Sequence, residues 1–247
     1  MRALRQLTLV DIKLYVREPI ATFFTLAFPP MLVVLFGAMY GNAPSALFGG
    51  LGSMDIAMPG YTALILGTVG LMSIPITISG YRELGVLRRF QVTPLRPISY
   101  IAADVLANLL MIFLGMVALL VVGEFLYHVR FDGNPVAVIL AVIFCALTMF
   151  SVGYVIASVA PSARTAQVIG MVIFYPMVFL SGAAIPLAIM PESIQTVSKF
   201  LPLTYVVNLL HGLWFGQPWR ELLPDTIILA VILLVCTALA ARLFRWE

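Results

Sequence analysis

YRELGVLRRFQVTPLRP, residues 81–97, is a charged island between two long apolar runs, and its reading decides the rest of the chain. Arg82, Glu83, Arg88, Arg89 and Arg96 cannot all lie in hydrocarbon, so the island sits in water. Leu84, Leu87 and Phe90 recur at helical spacing, with Arg82, Glu83, Arg88 and Arg89 largely to the other sides, which predicts one short amphipathic helix over 82–92. Thr93-Pro94 ends it, because the ring of Pro94 pushes Thr93 out of the α region. A surface helix joined to a membrane span at each end can pass a push from a soluble partner into the bilayer. The plain alternative is that these arginines only orient the spans.

The flanks set the class. Hydrophobic residues make up 62% of the chain and charged residues 10%, with a mean hydropathy of +1.07. A soluble domain carries about a quarter charged residues, so this is an integral membrane protein. The 247 residues hold six spans of about twenty residues with short connections and leave no room for a large soluble domain. The net charge of +3 serves topology and forms no nucleic-acid patch. Cys145 and Cys236 fall in mid-span, act as small apolar residues and are expected to form no disulfide.

The predicted architecture is all-α: an interfacial helix over 1–18, then spans over 20–40, 59–80, 98–123, 136–157, 166–182 and 222–241. Residues 1–18 are too charged for a signal peptide. They project as an imperfect amphipathic helix, with Arg5, Lys13 and Arg17 on the polar arc and Asp11 and Glu18 interrupting the apolar side. Pro29-Pro30 and Pro75 imply kinks, and a kink in lipid needs neighbours for the carbonyls it frees. Residues 41–58 read as a loop whose only charge is Asp55. Asp104 lies just inside the third span; an ionisable group there is a functional candidate by default, and its position favours reaching back to the interface. Residues 183–217 are broken by prolines and glycines and read as two short outer helices, 191–200 and 205–214, dipping into the interface, with Tyr205, Trp214 and Trp219 as aromatic anchors.

Counting then orients the chain. The N-terminal segment, the island, the turn at Arg164 and the C-terminus carry eleven of the fourteen basic residues, leaving only Arg130, Lys199 and Arg220 opposite. Both termini and the island are therefore expected in the cytoplasm.

The chemistry is conspicuous for what it lacks. No G-x-x-x-x-G-K-[ST] occurs, so no P-loop nucleotide site is expected, and no H-E-x-x-H or nucleophile elbow points to an enzyme or a metal. A secondary carrier would place ionisable ligands near the midplane, and the spans offer almost none. Energy is expected to come from outside the chain.

Three features carry a family resemblance: Arg17-Glu18-Pro19 at the start of the first span; Arg82-Glu83-Leu84-Gly85-Val86-Leu87-Arg88-Arg89 followed by Thr93-Pro94-Leu95; and Leu201-Pro202-Leu203-Thr204-Tyr205 before the last span. Over its whole length the chain resembles the permease subunit of a type-two ABC exporter. It departs where the family often has an arginine some six residues after Tyr205 and this chain has His211. The resemblance implies a bacterial inner-membrane subunit of a homodimer or heterodimer of permeases. It has no catalytic, metal or cofactor site of its own; ATP and magnesium belong to a separate ATP-binding subunit.

It further implies that the island is the coupling helix, with Arg82, Glu83, Gly85, Leu87, Arg88, Arg89, Thr93 and Pro94 as its contact set. Arg5, Lys13, Arg17 and Glu18 belong to the interfacial helix, and Pro202, Thr204, Tyr205 and His211 to an outer region shaping the exit. Substrate would pass between permeases, along parts of the first, second and fifth spans. The cargo implied is an amphiphilic drug or antibiotic; a lipid-linked or polysaccharide substrate, a secondary carrier and a membrane scaffold are the alternatives.

Overall fold

The structure, a computed structural model, describes residues 2–45, 49–86 and 97–243. Helices account for its regular structure, with no strand among the described residues. An N-terminal helix, Arg2–Arg17, leads into six helices long and apolar enough to cross a bilayer: Phe23–Tyr40, Ser53–Glu83, Tyr100–Tyr127, Pro135–Val159, Ala163–Leu180 and Leu223–Leu243. These are spans one to six below. Between spans five and six lie a 3-10 turn at Leu187–Ile189 and the helices Glu192–Ser198 and Pro202–Trp214. The protein is an all-α, multi-pass membrane protein.

The helix ends follow the sequence chemistry. Span four starts at Pro135 behind Asn134, whose side-chain oxygen accepts the N–H groups of Val136 and Ala137. Span five starts behind Ser162, whose hydroxyl accepts from the Thr165 N–H. Span two begins at Ser53, inside the stretch expected as a loop, because Asp55 reaches back to accept the Gly52 N–H at 2.9 Å.

Span two is the core. Met58, Ile65, Leu66, Val69, Leu71, Ile74 and Ile78 are all buried to within 1%. The span is packed by spans one, three, four and five and by the Pro202–Trp214 helix, while span six lies outside, against span four. A helix apolar on every side and enclosed on every side is consistent with such a place.

Two prolines shape this centre. Span two opens into a π-turn at Val69–Ser73 ahead of Pro75, and span one does the same at Phe23–Ala27 ahead of Pro29-Pro30. Pro75 has no N–H for the carbonyl of Leu71 four residues back, and the Ile74 N–H goes to Val69, five residues back, leaving Gly70 without that donor. Both carbonyls face glycines. A methyl group on Gly153 of span four would lie 2.0 Å from the Gly70 oxygen, and one on Gly170 of span five 2.6 Å from the Leu71 oxygen. In span one, Pro29 frees the Thr25 carbonyl in the same way, and a methyl on Gly115 of span three would stand 2.5 Å from it. Bare glycine backbone at these crossings lets helices approach closely and brings Cα–H groups against the freed carbonyls.

The outer helices correct one expectation. The Pro202–Trp214 helix packs inward on spans two, four and six, and Trp214, expected as an interface anchor, is 1% exposed. Its indole N–H donates to the Arg130 carbonyl at 3.0 Å and its ring meets the edge of Phe131, so the polar atom is satisfied without water.

Gly153→Ala and Gly170→Ala are expected to destabilise the fold by about 1–3 kcal/mol each through overpacking. Gly80→Ala, whose added methyl meets only Ala163 Cβ at 3.5 Å, is the matched control. Thermal unfolding in detergent checks it: the first two lose melting temperature and monodisperse yield, and Gly80→Ala does not.

Candidate functional site

A trough runs along the bundle between spans one, two and five, with a cavity volume of about 350 Å³. Span one contributes Thr25, Phe28, Leu32 and Phe36, recurring at three and four, so one helix face supplies this wall, and Glu18 lines the trough from just ahead of the span. From Tyr61 to Ile76 the trough follows about 22 Å of span two, most of a bilayer core. Tyr61, Thr68 and Met72 come from span two, and Gln167, Phe174 and Phe179 from span five. Phe24, Tyr175 and Phe179 line the trough yet stay exposed, so it opens sideways out of the bundle. The N-terminal helix is tied to its wall, since the Tyr15 hydroxyl and Thr25 Oγ1 are 2.7 Å apart and Thr22 Oγ1 donates to the Tyr15 carbonyl at 2.7 Å.

At the end of the bundle nearest the N-terminal helix, span two finishes in charge. Arg82 and Glu83, expected to begin the 82–92 helix, form the last turn of the Ile74–Glu83 helix. The helix stops at Leu84-Gly85, with Gly85 at φ +69, a left-handed conformation that glycine adopts without strain. Arg82 Nη2 donates to the carbonyls of Ala157, at 2.7 Å, and Ala160, at the C-terminal end of span four. Glu83 Oε2 accepts the Ala163 N–H at 3.1 Å, at the N-terminal end of span five. Each charge thus meets the helix end of opposite sign, and two adjacent residues hold both sides of the span four–five turn. Leu84 is 73% exposed beside them. Leu87, Arg88, Arg89, Thr93 and Pro94 lie outside the described residues.

A polar cluster lies under the N-terminal helix. Asp104 is buried inside span three rather than reaching back to the interface: its carboxylate accepts the Tyr154 hydroxyl at 2.5 Å and Asn108 Nδ2 at 3.1 Å. Donors one turn on and fifty residues on satisfy it where it stands. Asp11, which the helical projection treats as an interruption of the apolar side, is turned into the face that packs on the Pro97–Tyr127 helix, and its Oδ2 is buried without a hydrogen bond. Burial first, and the nearby Asp104 carboxylate second, push Asp11 up to about 7. Tyr81, Tyr100 and Tyr154 stand within electrostatic reach of it. Lys13, Arg17 and Glu18 are exposed, and Arg5 lies on the same helix.

At the opposite end, Asp55 is a second buried carboxylate. It accepts from Asn42 Nδ2 at 3.0 Å and from the Arg130 N–H at 2.9 Å, tying the 41–52 and 127–134 loops to span two. Its only local sequence signal is its place three residues after Gly52 at a helix start. Pro202 opens its helix at the first position, the Thr204 hydroxyl donates to the Ser198 carbonyl at 2.7 Å, and the Tyr205 hydroxyl donates to the Lys199 carbonyl. The His211 and Phe215 rings lie 4.8 Å apart, tilted by 58°, and burial holds the His211 pKa below the usual imidazole value. Among the described residues no cluster of His, Cys, Asp and Glu suits a metal.

Comparison with known proteins returns one consistent picture. The ABC-2 type transporter family matches residues 2–215. The chain is similar to nodulation protein J of Rhizobium leguminosarum bv. viciae, 29% identical over 99 residues, covering 40% of this chain and 38% of that protein. It is 22% identical over 185 residues to the inner membrane transport permease YhhJ of Escherichia coli, covering 73% of this chain and 50% of that one. The putative transport permease ycf38 of Porphyra purpurea is 22% identical over 210 residues, 83% of this chain and 71% of its own length. The match thus spans half or less of the first two relatives.

Because the docked N-terminal helix raises the Asp11 pKa from 3.8 to about 7, docking favours the protonated carboxyl, so it is expected to be tightest below pH 3.8, to loosen as pH rises from there to about 7, and to change no further above it. Hydrogen exchange of the Arg2–Arg17 amides across about pH 4–8, corrected for intrinsic rates, checks this. Asp11→Asn should abolish the pH dependence of protection.

Proposed function

The chain belongs to the ABC-2 type transporter family, and from that premise we propose that it is the membrane subunit of an ATP-driven exporter moving an amphiphilic drug or antibiotic. The observation that carries the reading is the membrane-deep apolar trough, open at its side, whose fifth-span wall starts at the turn held by Arg82 and Glu83. A separate ATP-binding subunit docks on the island over 82–96 from the cytoplasm and supplies ATP and magnesium chemistry. A second permease, identical or related, faces the open side of the trough.

Force applied at the island moves the end of span two, and Arg82 and Glu83 pass it to the ends of spans four and five. Both differ from a merely orienting charge in having directed hydrogen bonds across the turn. Movement of span five changes the width of the trough, exposing substrate first to the inner and then to the outer side. The outer helices around Pro202, Thr204, Tyr205 and His211 form the exit. The sideways opening, lined by exposed Phe24 and Phe179, also suits a lipid-linked substrate whose chain stays in the bilayer, and this is the second reading.

Leu84→Cys is expected to react with a membrane-impermeant maleimide only from the cytoplasmic side; labelling in intact cells would overturn the topology. Glu83→Ala, which removes one charge-assisted hydrogen bond, should lower transport roughly tenfold while the partner subunit still co-purifies. Gly85→Pro, incompatible with φ +69, should abolish coupling altogether. Measured transport and stimulated ATPase activity in both variants test it, and unchanged values would sink the coupling role of this turn.

A further inference from the structure

We infer that the trough selects amphiphiles bearing a positive charge. This deepens the export reading and rests on it for the direction of movement, but charge selection by the cavity stands on its own observations. Among the described residues, Glu18 is the only charged one that lines the trough, and no lysine, arginine or histidine does. It stands at the end of the trough beside the N-terminal helix, with its side chain exposed. The adjacent Arg17 belongs to the N-terminal helix and does not line the cavity.

The walls beyond Glu18 are aromatic. Phe24 and Phe28 pair at 5.2 Å and Phe174 and Tyr175 at 5.7 Å, on spans one and five, and Tyr61 from span two and Phe36 from span one also line the trough. Ring faces attract cations and repel anions. Moving an ion from water into an apolar cleft is costly unless opposite charge and polarisable groups offset the loss of solvent. Here a cation meets a carboxylate at one end and aromatic rings along the path, with the exposed Gln167 as a neutral acceptor. An anion meets the same carboxylate and, among the described residues, no cationic partner. The cavity volume of about 350 Å³ fits a drug-sized molecule rather than a polymer segment of many sugars.

The test uses two ions of nearly the same shape and opposite charge. The full-length chain in lipid nanodiscs is loaded with rhodamine 6G, and its displacement by tetraphenylphosphonium and by tetraphenylborate is read by fluorescence polarisation against empty nanodiscs. Tetraphenylphosphonium is expected to displace the dye at roughly tenfold lower concentration than tetraphenylborate. Glu18→Gln should bring the two within about twofold, and Glu18→Lys should reverse their order. Equal displacement by both ions in the unmodified chain, a ratio untouched by Glu18→Gln, or no saturable dye binding would each overturn the inference. Unchanged melting temperature and elution volume of the variants guard against misfolding. Dye efflux from cells holding the complete complex separates the two readings: Glu83-dependent efflux indifferent to Glu18 overturns charge selection and leaves export standing. Glu18-dependent binding without efflux supports charge selection and removes export of this dye class.

Discussion

A carbonyl left without its donor inside a bilayer is the constraint on which this structure turns. Hydrocarbon offers no water to replace a missing helical hydrogen bond, so each proline in a span must be answered by another part of the chain. Here the answer is a glycine on a neighbouring helix: Gly153 and Gly170 lie over the carbonyls exposed around the Val69–Ser73 π-turn, and Gly115 over that of Thr25. Because these contacts come from spans three, four and five, they fix where those helices cross. Spans four and five close the defect of span two, and span three closes that of span one.

That arrangement also makes the trough. A π-turn widens one helix by a residue, and the bond from Tyr15 to Thr25 holds the N-terminal helix against the first span. Span five is held at its middle by Gly170 on Leu71 and at its start by Glu83 on Ala163. One face of its upper length, with Tyr175 and Phe179, remains outside the packed core, while Phe174, Met177 and Val178 are buried in it. The apolar side chains of three helices therefore line a cleft instead of filling it.

Much of this was legible in the chain, and the failures share a cause. The apolar runs, the charge asymmetry and the prolines of spans one and two announced six spans and two distorted ones, because these are properties of single segments. What joins distant segments was not legible. Nothing near Gly153 says that Gly70 will lie against it, and nothing near Asp104 says that Tyr154 will donate to it, so Asp104 read as a residue bound for the interface. Trp214 read as an anchor because an indole usually needs water, and the Arg130 carbonyl that replaces water is 84 residues away. Asp11 is the instructive case, since its interruption of the apolar side is visible in the sequence and only the packing shows what it does. The trough, likewise, is a property of three helices at once, although each supplies its lining at a regular spacing.

The pairing of Arg82 with one helix end and Glu83 with the next has a geometric corollary. Successive residues on a helix point about 100° apart, so the two side chains grip the connecting bend from different bearings, much as two fingers hold a crank. A twist of the span about its own axis would pull one grip while slackening the other, whereas a tilt carries both together. The joint thus ties the ends of spans two, four and five together as one piece.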